Sequence, residues 1–486
     1  MALRKYSNQG EMWGPSPDLA LAAGHPARAV DEIIEKLSLD RCNRKYVHTA
    51  GEPAYDVRGM VKILIYAYMR GITSSREMAR QCEENIAFQF LTRGHCPDFR
   101  TIALFRRRKR HLLRWVFRKT VALARAMGIA RLGLVALDSV KFPADASAGK
   151  KMTEAQLTEE LRKLDAYLGE VESSDQKEDR RYGSEARGDE LPADVMDAQQ
   201  RKEKLAKALD VLKERQSKAK GEPPKNVSVV DPEAPWVKKG GKFMRGYSGQ
   251  VAADSEHQVI VAIKPTAEST DNDQLNPMLH EVEKTTGQAP AQLVADSGYY
   301  TDEAVLEASK STSDCFVPDC DTAAQLNNPK RRDSEKAAFH VSRFTYDEHK
   351  DEFTCPQGKQ LPFLKDHNRR GPTKIYRCAD CHGCPFQAQC TDHASGLRSI
   401  QLSVDHAQVR KIRAKLQTES GKATYKRRKA IIEPIFGRWQ HNWGIRRLRL
   451  RGLAGFSIEL HLLAIAHNVT KLFRIQQGCA PAIAKV

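Results

Sequence analysis

The spacing of hydrophobic positions changes along the chain and separates a helical first part from a mixed second part. Residues 60–69 are apolar on nearly every side, which predicts a buried helix. Ser74 and Glu77 form a capping-box pair that predicts the start of the next helix. One long helix is expected from Asp98 to Leu123. Several helices in this order are typical of a helix-turn-helix-like DNA-binding module.

Beyond residue 130 the pattern changes to short apolar runs. Residues 132–139 predict a buried strand that carries Asp138 near its end, and residues 292–299 repeat the pattern with Asp296. Strands are also expected at residues 227–230, 243–253 and 259–263, with a hairpin turn at residues 254–257 between the last two. Because helices alternate with these strands, the second part is predicted to be an α/β or α+β domain.

Residues 151–222 interrupt that domain with a different pattern. Apolar residues recur there at alternating spacings of four and three, as in a heptad seam, and Thr153 with Gln156 predicts the helix start. A second helical pattern runs over residues 195–212. The segment is therefore interpreted as an antiparallel helical hairpin. It could serve dimerisation or DNA clamping, or it could be a solvent-exposed arm.

Composition narrows the function classes. The chain has 486 residues, a net charge of +18 and 41% hydrophobic residues, enough for two to four units with real cores. It shows no uninterrupted apolar run of about 18 residues and no signal-peptide pattern at its basic N-terminus, so we expect an intracellular protein without a membrane span. The strong positive charge favours a polyanionic partner, most simply nucleic acid.

The positive charge is concentrated in two segments. Arg106, Arg107 and Arg108 belong to a basic stretch on the long predicted helix, where a DNA contact competes with an ordinary solvated face. Between residues 421 and 452 the single acid, Glu433, stands among ten basic residues: Lys422, Lys426, Arg427, Arg428, Lys429, Arg438, Arg446, Arg447, Arg449 and Arg451. An isolated acid in such a surface is either paired with its neighbours or a metal ligand.

Three carboxylates are candidates for chemistry. Asp138 and Asp296 end buried strands, and Glu433 lies on a predicted helix. Three carboxylates holding two Mg²⁺ ions would suit an in-line displacement at phosphorus, in which one ion activates the attacking oxygen and the other stabilises the leaving oxygen.

The motifs around these acids, taken in order, resemble those of bacterial insertion-sequence transposases of the DDE type. The matching pieces are residues 55–102, Leu137-Asp138-Ser139, Gly246-Tyr247-Ser248-Gly249-Gln250, Ala295-Asp296-Ser297-Gly298-Tyr299, and Glu433-Pro434-Ile435-Phe436-Gly437-Arg438 followed by Arg451-Gly452. The resemblance covers nearly the whole chain. It implies an α/β fold with an RNase H-like mixed sheet flanked by helices.

The resemblance also implies a domain plan. A helical N-terminal DNA-binding domain is expected at residues 1–130 and an RNase H-like DDE catalytic domain at residues 131–475. The catalytic domain would contain two insertions, the helical hairpin at 151–222 and a Cys-rich, zinc-ribbon-like segment at 350–395. Residues 476–486 would form a C-terminal tail.

The chemistry that the resemblance implies is metal-dependent DNA cleavage at transposon ends, followed by strand transfer into target DNA. Asp138, Asp296 and Glu433 would be the catalytic triad and hold two Mg²⁺ or Mn²⁺ ions. Tyr425 and Arg428 match the first two positions of a Tyr-x-x-Arg-x-x-x-Glu helix that contacts DNA, but Glu433 falls one residue late. Lys429 and Arg438 are further DNA-contact candidates, and Trp439 is expected either to stack on a base or to pack in the core.

Five cysteines crowd into one short segment: Cys355, Cys378, Cys381, Cys384 and Cys390. Paired Cys-x-x-Cys spacing in an intracellular chain predicts tetrahedral thiolate zinc rather than disulfides. The preferred ligand set is Cys355, Cys381, Cys384 and Cys390, which leaves Cys378 out and keeps His382 as an alternative. A reduced loop without metal is the competing interpretation.

Three functions from different classes are compatible with these patterns. The first is an active transposase, a bacterial cytoplasmic and nucleoid-associated protein that acts on double-stranded terminal inverted repeats and target DNA as a homodimer. The second is a related DNA-binding protein without catalysis, and the third is a zinc-stabilised transcriptional regulator. The active transposase alone requires Asp138, Asp296 and Glu433 to converge.

Overall fold

The computed structural model describes residues 16–43, 54–146, 151–182, 193–217, 222–327, 338–367, 373–403 and 406–478. Within these ranges the protein is a mixed α/β structure with a mixed sheet, as the alternation of strand and helix patterns predicts.

The first part is helical, as predicted. Its helices are Pro17–Ala20, Pro26–Glu35, Asp40–Asn43, Val57–Met69, Ser75–Glu84, Ile86–Thr92, Phe99–Arg108 and Arg110–Ala126. The single long helix expected from Asp98 is wrong, because the backbone leaves helical geometry at Lys109 (φ −100°, ψ 29°) and two helices result. Asp98 caps the first of them by accepting hydrogen bonds from the amides of Arg100 and Thr101.

The central sheet contains six strands among the described residues, with β-strands numbered in chain order: β1 (Leu134–Pro143), β4 (Trp236–Lys239), β5 (Lys242–Asp254), β6 (Ile260–Thr266), β7 (Gln292–Ala295) and β8 (Asp314–Phe316). A separate pair consists of β2 (Lys151–Thr153) and β3 (Asn226–Ser228). The order in the central sheet is β4-β5-β1-β7-β8. β4 pairs with residues 242–245 of β5, and β6 pairs with residues 248–253 of the same strand. β5 lies antiparallel to β1 and β6, whereas β7 runs parallel to β1 and β8.

Helices surround this sheet. They are Leu275–Thr286, Asp302–Ala308, Cys320–Asn327, His406–Gln417, Glu419–Gly437 and Gly452–Gln476, with a 3₁₀ turn at Ser297–Tyr299 and a π-helical turn at Arg438–Asn442. We call Glu419–Gly437 the Arg428 helix and Gly452–Gln476 the C-terminal helix.

Two further units lie beside the sheet. Helices Glu154–Tyr182 and Ala193–Ser217 pack on each other around Leu157 and Leu205, and Arg201 pairs with Glu160 at 2.7 Å. The cysteine-rich region forms its own antiparallel sheet in the order β13-β12-β11-β10-β9, with a short 3₁₀ turn and a short helix. Its elements are Val341–Arg343, β9 (Thr345–Asp347), β10 (Glu352–Thr354), β11 (Gln360–His367), β12 (Thr373–Arg377), Gln387–Cys390 and β13 (Ser399–Ser403).

The C-terminal helix lies in the middle of the main hydrophobic core. It packs against β6 on one side and against the N-terminal helices Val57–Met69 and Arg110–Ala126 on the other. Asn468 joins it to the sheet, because its side chain accepts from the Ile260 amide and donates to the Ile260 carbonyl, both at 2.9 Å. The division at residue 130 stays a prediction, but helices on both sides of it share this core.

The C-terminal helix is also the one described helix that is long and apolar enough to cross a membrane by length and composition. In this structure 78% of its most apolar window is buried inside the protein. A core helix passes the same test of length and apolarity.

Two glycines of β5 allow close packing in this core. A Cβ atom on Gly249 would lie 3.0 Å from Leu460 and 3.1 Å from Phe456 of the C-terminal helix, and one on Gly246 would lie 2.3 Å from the Phe142 carbonyl oxygen. The Gly-x-x-Gly motif of this strand therefore has a packing role.

Candidate active site

Asp138 and Asp296 are brought together by the register of two parallel strands. Leu137 of β1 pairs with Ala295 of β7, so the two aspartates occupy the next position on neighbouring strands. Neighbouring strands lie about 4.8 Å apart. Asp296 also accepts a hydrogen bond from the Gly298 amide at 2.9 Å, which holds its carboxylate at the start of the 3₁₀ turn.

The environment of Asp138 raises the pKa of its carboxyl group. Burial raises its pKa to about 6; the positive charge of Arg428 opposes this shift and the negative charge of Asp296 adds to it. The carboxylate accepts from the Ser139 amide at 2.7 Å and from Arg428 Nη1 at 2.6 Å. Two close carboxylates in a partly desolvated position are expected to bind a cation readily.

Arg428 lies beside both aspartates. Burial by itself would lower its pKa, but the charges of Asp138 and Asp296 outweigh burial and raise it. Tyr425, one turn earlier on the same helix, is buried next to Arg428, and burial raises its pKa. The DNA-contact roles predicted for Tyr425 and Arg428 do not match these placements, because the Arg428 guanidinium is 9% exposed and bound to Asp138.

Glu433 does not join the two aspartates in this structure. Its side chain is exposed, and it makes no hydrogen bond or ion pair within the described residues. It follows Arg428 by five residues, which places it about 140° around the helix and about 7.5 Å farther along it. Ile432 occupies the buried position one residue earlier. Because Glu433 falls one residue late in the motif, its side chain faces solvent instead of the buried side of the helix.

No group of three or more His, Cys, Asp or Glu side chains has the geometry of a metal site in the described part of the chain. Two adjacent carboxylates still fit one Mg²⁺, since this ion is commonly bound by one or two carboxylates together with substrate phosphates and water.

A polar cluster that the sequence did not indicate adjoins Asp138. Asp271, in the loop after β6, accepts hydrogen bonds from Ser139 Oγ at 2.8 Å, Lys141 Nζ at 2.7 Å and Gln250 Nε2 at 2.7 Å. Tyr299 donates in turn to Gln250 Oε1. Ser139 and Lys141 alternate with Asp138 along β1 and therefore point to the other face of the sheet. Asp271 lies in an irregular loop, so no periodic pattern could have identified it.

The five clustered cysteines line one pocket: Cys355, Cys378, Cys381, Cys384 and Cys390. The Lys359 amide donates to Cys355 Sγ at 3.3 Å, and the Arg398 amide donates to Cys381 Sγ at 3.5 Å. Burial raises the pKa of Cys378 to about 11, and the hydrogen bond that its thiol donates to Cys381 acts in the same direction. His382 is exposed and does not line the pocket.

The remaining DNA-contact candidates separate by exposure. Arg107, Arg108 and Lys429 are exposed, whereas Arg106 is buried and donates to the Thr73 carbonyl at 2.8 Å and to Ser75 Oγ at 3.3 Å. Arg106 is therefore a structural residue, contrary to the prediction. Arg438 is half-buried, and burial lowers its pKa to about 10.

Trp439 packs in the core. It is fully buried against Phe436, as the packing alternative predicted, so its ring is not available for stacking on a base.

Asp296 directly follows β7, whereas Asp138 lies within β1 and not at its end as predicted. The two carboxylates on neighbouring parallel strands, beside a basic helix, define a site suited to cation-assisted phosphate chemistry. Two family models match the chain: one described as "Transposase DDE domain" over residues 354–473, and one described as "Transposase domain (DUF772)" over residues 17–108. Both models describe transposase domains, and together they indicate an insertion-sequence DDE transposase. Comparison with curated proteins and with solved structures gives no match.

Both matches agree with the transposase resemblance of the sequence motifs. They indicate DNA transposition, a DNA partner and a nuclease-type enzyme of a class that generally uses divalent metal ions. The DDE-domain match includes the cysteine segment and Glu433 but neither aspartate. The assignment of Asp138 and Asp296 therefore rests on the motifs and on the strand register.

Proposed function

We propose that this protein cleaves phosphodiester bonds at transposon ends and joins the freed strands to target DNA, with Asp138 and Asp296 as the central catalytic carboxylates. The observation that carries the proposal is their position on adjacent parallel strands, with Arg428 bonded to Asp138 and influenced by the charge of Asp296. Charged side chains in this arrangement match the needs of phosphoryl transfer, in which positioning and charge stabilisation supply most of the catalysis.

The strand arrangement supports an RNase H-like catalytic domain. β6, β5 and β1 form an antiparallel half of the sheet, and β1, β7 and β8 form a parallel half. β1 belongs to both halves, and the two aspartates lie on β1 and directly after β7. The Arg428 helix and the C-terminal helix both pack against this sheet.

Divalent metal ions, when bound, would activate the attacking oxygen and stabilise the leaving oxygen. Asp138 and Asp296 would hold them. The charge of Arg428 offsets the repulsion between the two carboxylates in the free protein, and the Ser139 and Gly298 amides keep each carboxylate oriented. Mg²⁺ and Mn²⁺ both suit such oxygen ligands.

Glu433 is proposed as the third catalytic carboxylate. It lies on the helix that contacts Asp138 through Arg428. Its side chain is exposed and forms no hydrogen bond or ion pair with any described residue. Because its distance from Arg428 along the helix is about 7.5 Å, its approach to the aspartates requires a movement of the side chain or helix. We expect that movement when DNA is bound, since the DNA phosphates compete for Arg428.

The cysteine pocket is proposed to hold one structural zinc ion through Cys355, Cys381, Cys384 and Cys390, although the described side chains do not have metal-site geometry in this structure. Amide hydrogen bonds to the Cys355 and Cys381 sulfurs support thiolates there, because a negative sulfur is the better acceptor. Cys378 is assigned to the small core with Phe353 and Tyr376. The binding of terminal inverted repeats as a homodimer, with the two long paired helices as a contact surface, also stays a proposal.

The decisive experiment measures Mg²⁺-dependent nicking of a duplex that carries the element's own end. Asp138→Asn and Glu433→Gln are expected to lose nicking and keep DNA binding. Glu419→Gln is the matched control, since Glu419 is an exposed acid on the same helix and pairs only at the surface with Lys422. Full nicking by Asp138→Asn would refute the proposed function, and full nicking by Glu433→Gln would remove Glu433 alone. A protein that binds the end but never nicks it would be a DNA-binding relative without catalysis.

A further inference from the structure

A basic groove lies between the N-terminal helices and the segment before the C-terminal helix. It has a volume of about 750 Å³. One wall carries Arg107, Arg108 and Arg110, and the facing wall carries Arg449 and Arg451. All five are exposed. The two walls come from segments more than 300 residues apart, so the groove joins the two basic clusters of the sequence.

Most of the positive charge in this groove is not neutralised by the protein. Asp145 is the acid among the lining residues, and it pairs with Arg451 at 3.1 Å and with Arg447 at 3.5 Å. In the described part of the chain no carboxylate lies within ion-pair distance of Arg107, Arg108, Arg110 or Arg449. Guanidinium groups left in this state are suited to phosphate oxygens.

The start of the C-terminal helix does not supply this positive charge. The Gly452 amide donates to Asp231 at 3.2 Å and the Leu453 amide donates to Glu233 at 2.7 Å, so these helix-end donors are already satisfied by carboxylates. Any anion in the groove would therefore be held by arginine side chains from both walls.

The groove has a defined position relative to the aspartates. The Leu448 amide donates to the Pro143 carbonyl at 3.1 Å, which fastens the arginine segment to the far end of β1. Asp138 and Pro143 are five residues apart on this strand, a separation of about 17 Å. Duplex DNA rises about 3.4 Å per base pair, so this distance corresponds to about five base pairs.

We propose that both walls of this groove clamp the phosphate backbone of duplex DNA about five base pairs from the bond that the aspartates address. The location relative to the cut bond rests on the proposed function, whereas backbone binding by the groove does not. The N-terminal helices and the catalytic sheet are thereby assigned to one continuous DNA path, with Arg110, Arg449 and Arg451 as contacts additional to Arg107 and Arg108.

The test measures how the affinity for a fluorescent 30-base-pair duplex of arbitrary sequence changes with salt. Each phosphate contact contributes about 0.9 to the slope of log affinity against log salt concentration. Arg108→Gln combined with Arg449→Gln removes one arginine from each wall and is expected to lower the slope by about 1.8. Arg108→Lys combined with Arg449→Lys keeps the charge and is expected to restore most of the slope, which also shows that the fold tolerates changes here.

The matched control is Arg118→Gln combined with Lys119→Gln. These residues are exposed on the neighbouring helix Arg110–Ala126, do not line the groove, and give the same charge change. An equal fall in slope for the control and the groove variant would overturn the groove, as would an unchanged slope in the groove variant. If the groove variant loses the binding of inorganic phosphate but keeps the wild-type salt slope for the duplex, the groove is a small-anion site and the clamp is refuted.

Phosphate-ethylation interference on the element's end then tests the position. A block confined to phosphates about five base pairs from the nicked bond, lost in the groove variant, supports it. Interference elsewhere overturns the placement. If nicking depends on Asp138 and the groove variant keeps the wild-type salt slope, the groove proposal is refuted and the proposed function stands. If the groove variant has a lowered slope but nicking does not depend on Asp138, the groove proposal stands and the proposed function is refuted.

Discussion

The two candidate metal sites of this molecule are assembled in different ways. The cysteine pocket takes its residues from one segment of 36 positions, so their spacing in the sequence already places them together. The aspartate pair takes its residues from positions 138 and 296, which meet only because β1 and β7 pair in one register. Local spacing thus indicates a site directly, whereas a distant pair can be proposed from motifs but is positioned by the sheet.

The largest expected effect concerns the pair that depends on strand register. Asp296→Asn should reduce nicking by on the order of a thousandfold or more, since it removes one of two adjacent carboxylates. Asp296→Cys should lose activity with Mg²⁺ and regain part of it with Mn²⁺, because a thiolate is a poor ligand for magnesium and a better one for manganese. Nicking rates measured with each metal decide this. Identical metal dependence in the wild type and Asp296→Cys would place the metal elsewhere.

The locally assembled site should respond to the loss of one cysteine but not of another. Cys381→Ser is expected to lose bound zinc and unfold the small cysteine-rich sheet, because a structural zinc contributes roughly 10 kcal/mol to such a unit. Cys378→Ser should keep one zinc per chain. Metal content by mass spectrometry and protease sensitivity of residues 338–403 measure both effects. Equal zinc content in the two variants would contradict the ligand assignment.

The pH profile sharpens the comparison through Asp138. Its pKa of about 6 lies above the ordinary value, so in the free protein the carboxyl group is neutral below about pH 6 and charged above it. We expect kcat/KM for nicking at fixed Mg²⁺ to fall about tenfold per pH unit below that point.

Arg428 supplies the internal check for this profile. Its charge lowers the pKa of Asp138, so Arg428→Gln should move the inflection to higher pH, whereas Arg428→Lys should leave it nearer the wild-type position. A shift to lower pH in Arg428→Gln would contradict the described pairing.

The smallest expected effect is on stability and tests the packing behind the aspartates. Gly249→Ala places a Cβ 3.0 Å from Leu460, and the resulting overpacking should cost about 1–3 kcal/mol in the free energy of unfolding. Gly169→Ala is the control, because it lies within a helix with no atom within 4 Å and should stabilise by up to about 1 kcal/mol. Urea unfolding compares them. A neutral Gly249→Ala would show that the C-terminal helix can retreat from the sheet.

Local features could be predicted well because they depend on nearby residues. The turn at residues 254–257, the strands that lead to both aspartates, and the reciprocal hydrogen bonds of Thr153 and Gln156 all follow from short-range patterns. The Ser74–Glu77 pair shows the limit of such rules. The helix starts where predicted, but Ser74 makes no side-chain cap, and Glu77 instead accepts hydrogen bonds from Arg80 and Gln81.

Features that depend on distant packing could not be predicted. Arg106 looks like its neighbours Arg107 and Arg108 in the sequence, but helix rotation buries it against Thr73. Asp271 belongs to an irregular loop, yet it accepts hydrogen bonds from residues of two strands beside Asp138. The basic groove joins positions 107–110 to positions 449–451, which no spacing rule connects.

The sequence by itself determined most of the elements, the cysteine cluster and the kind of protein, because hydrophobic period, ligand spacing and motif order are properties of neighbouring residues. Tertiary structure alone decided which charges are free. Arg428 is held in an ion pair by the partly buried Asp138, and an offset of one residue turns Glu433 towards solvent. The shared core around the C-terminal helix brings two arginine clusters to one groove. Desolvation and helix rotation are set by long-range packing, and they determine how each charged side chain of this transposase can act.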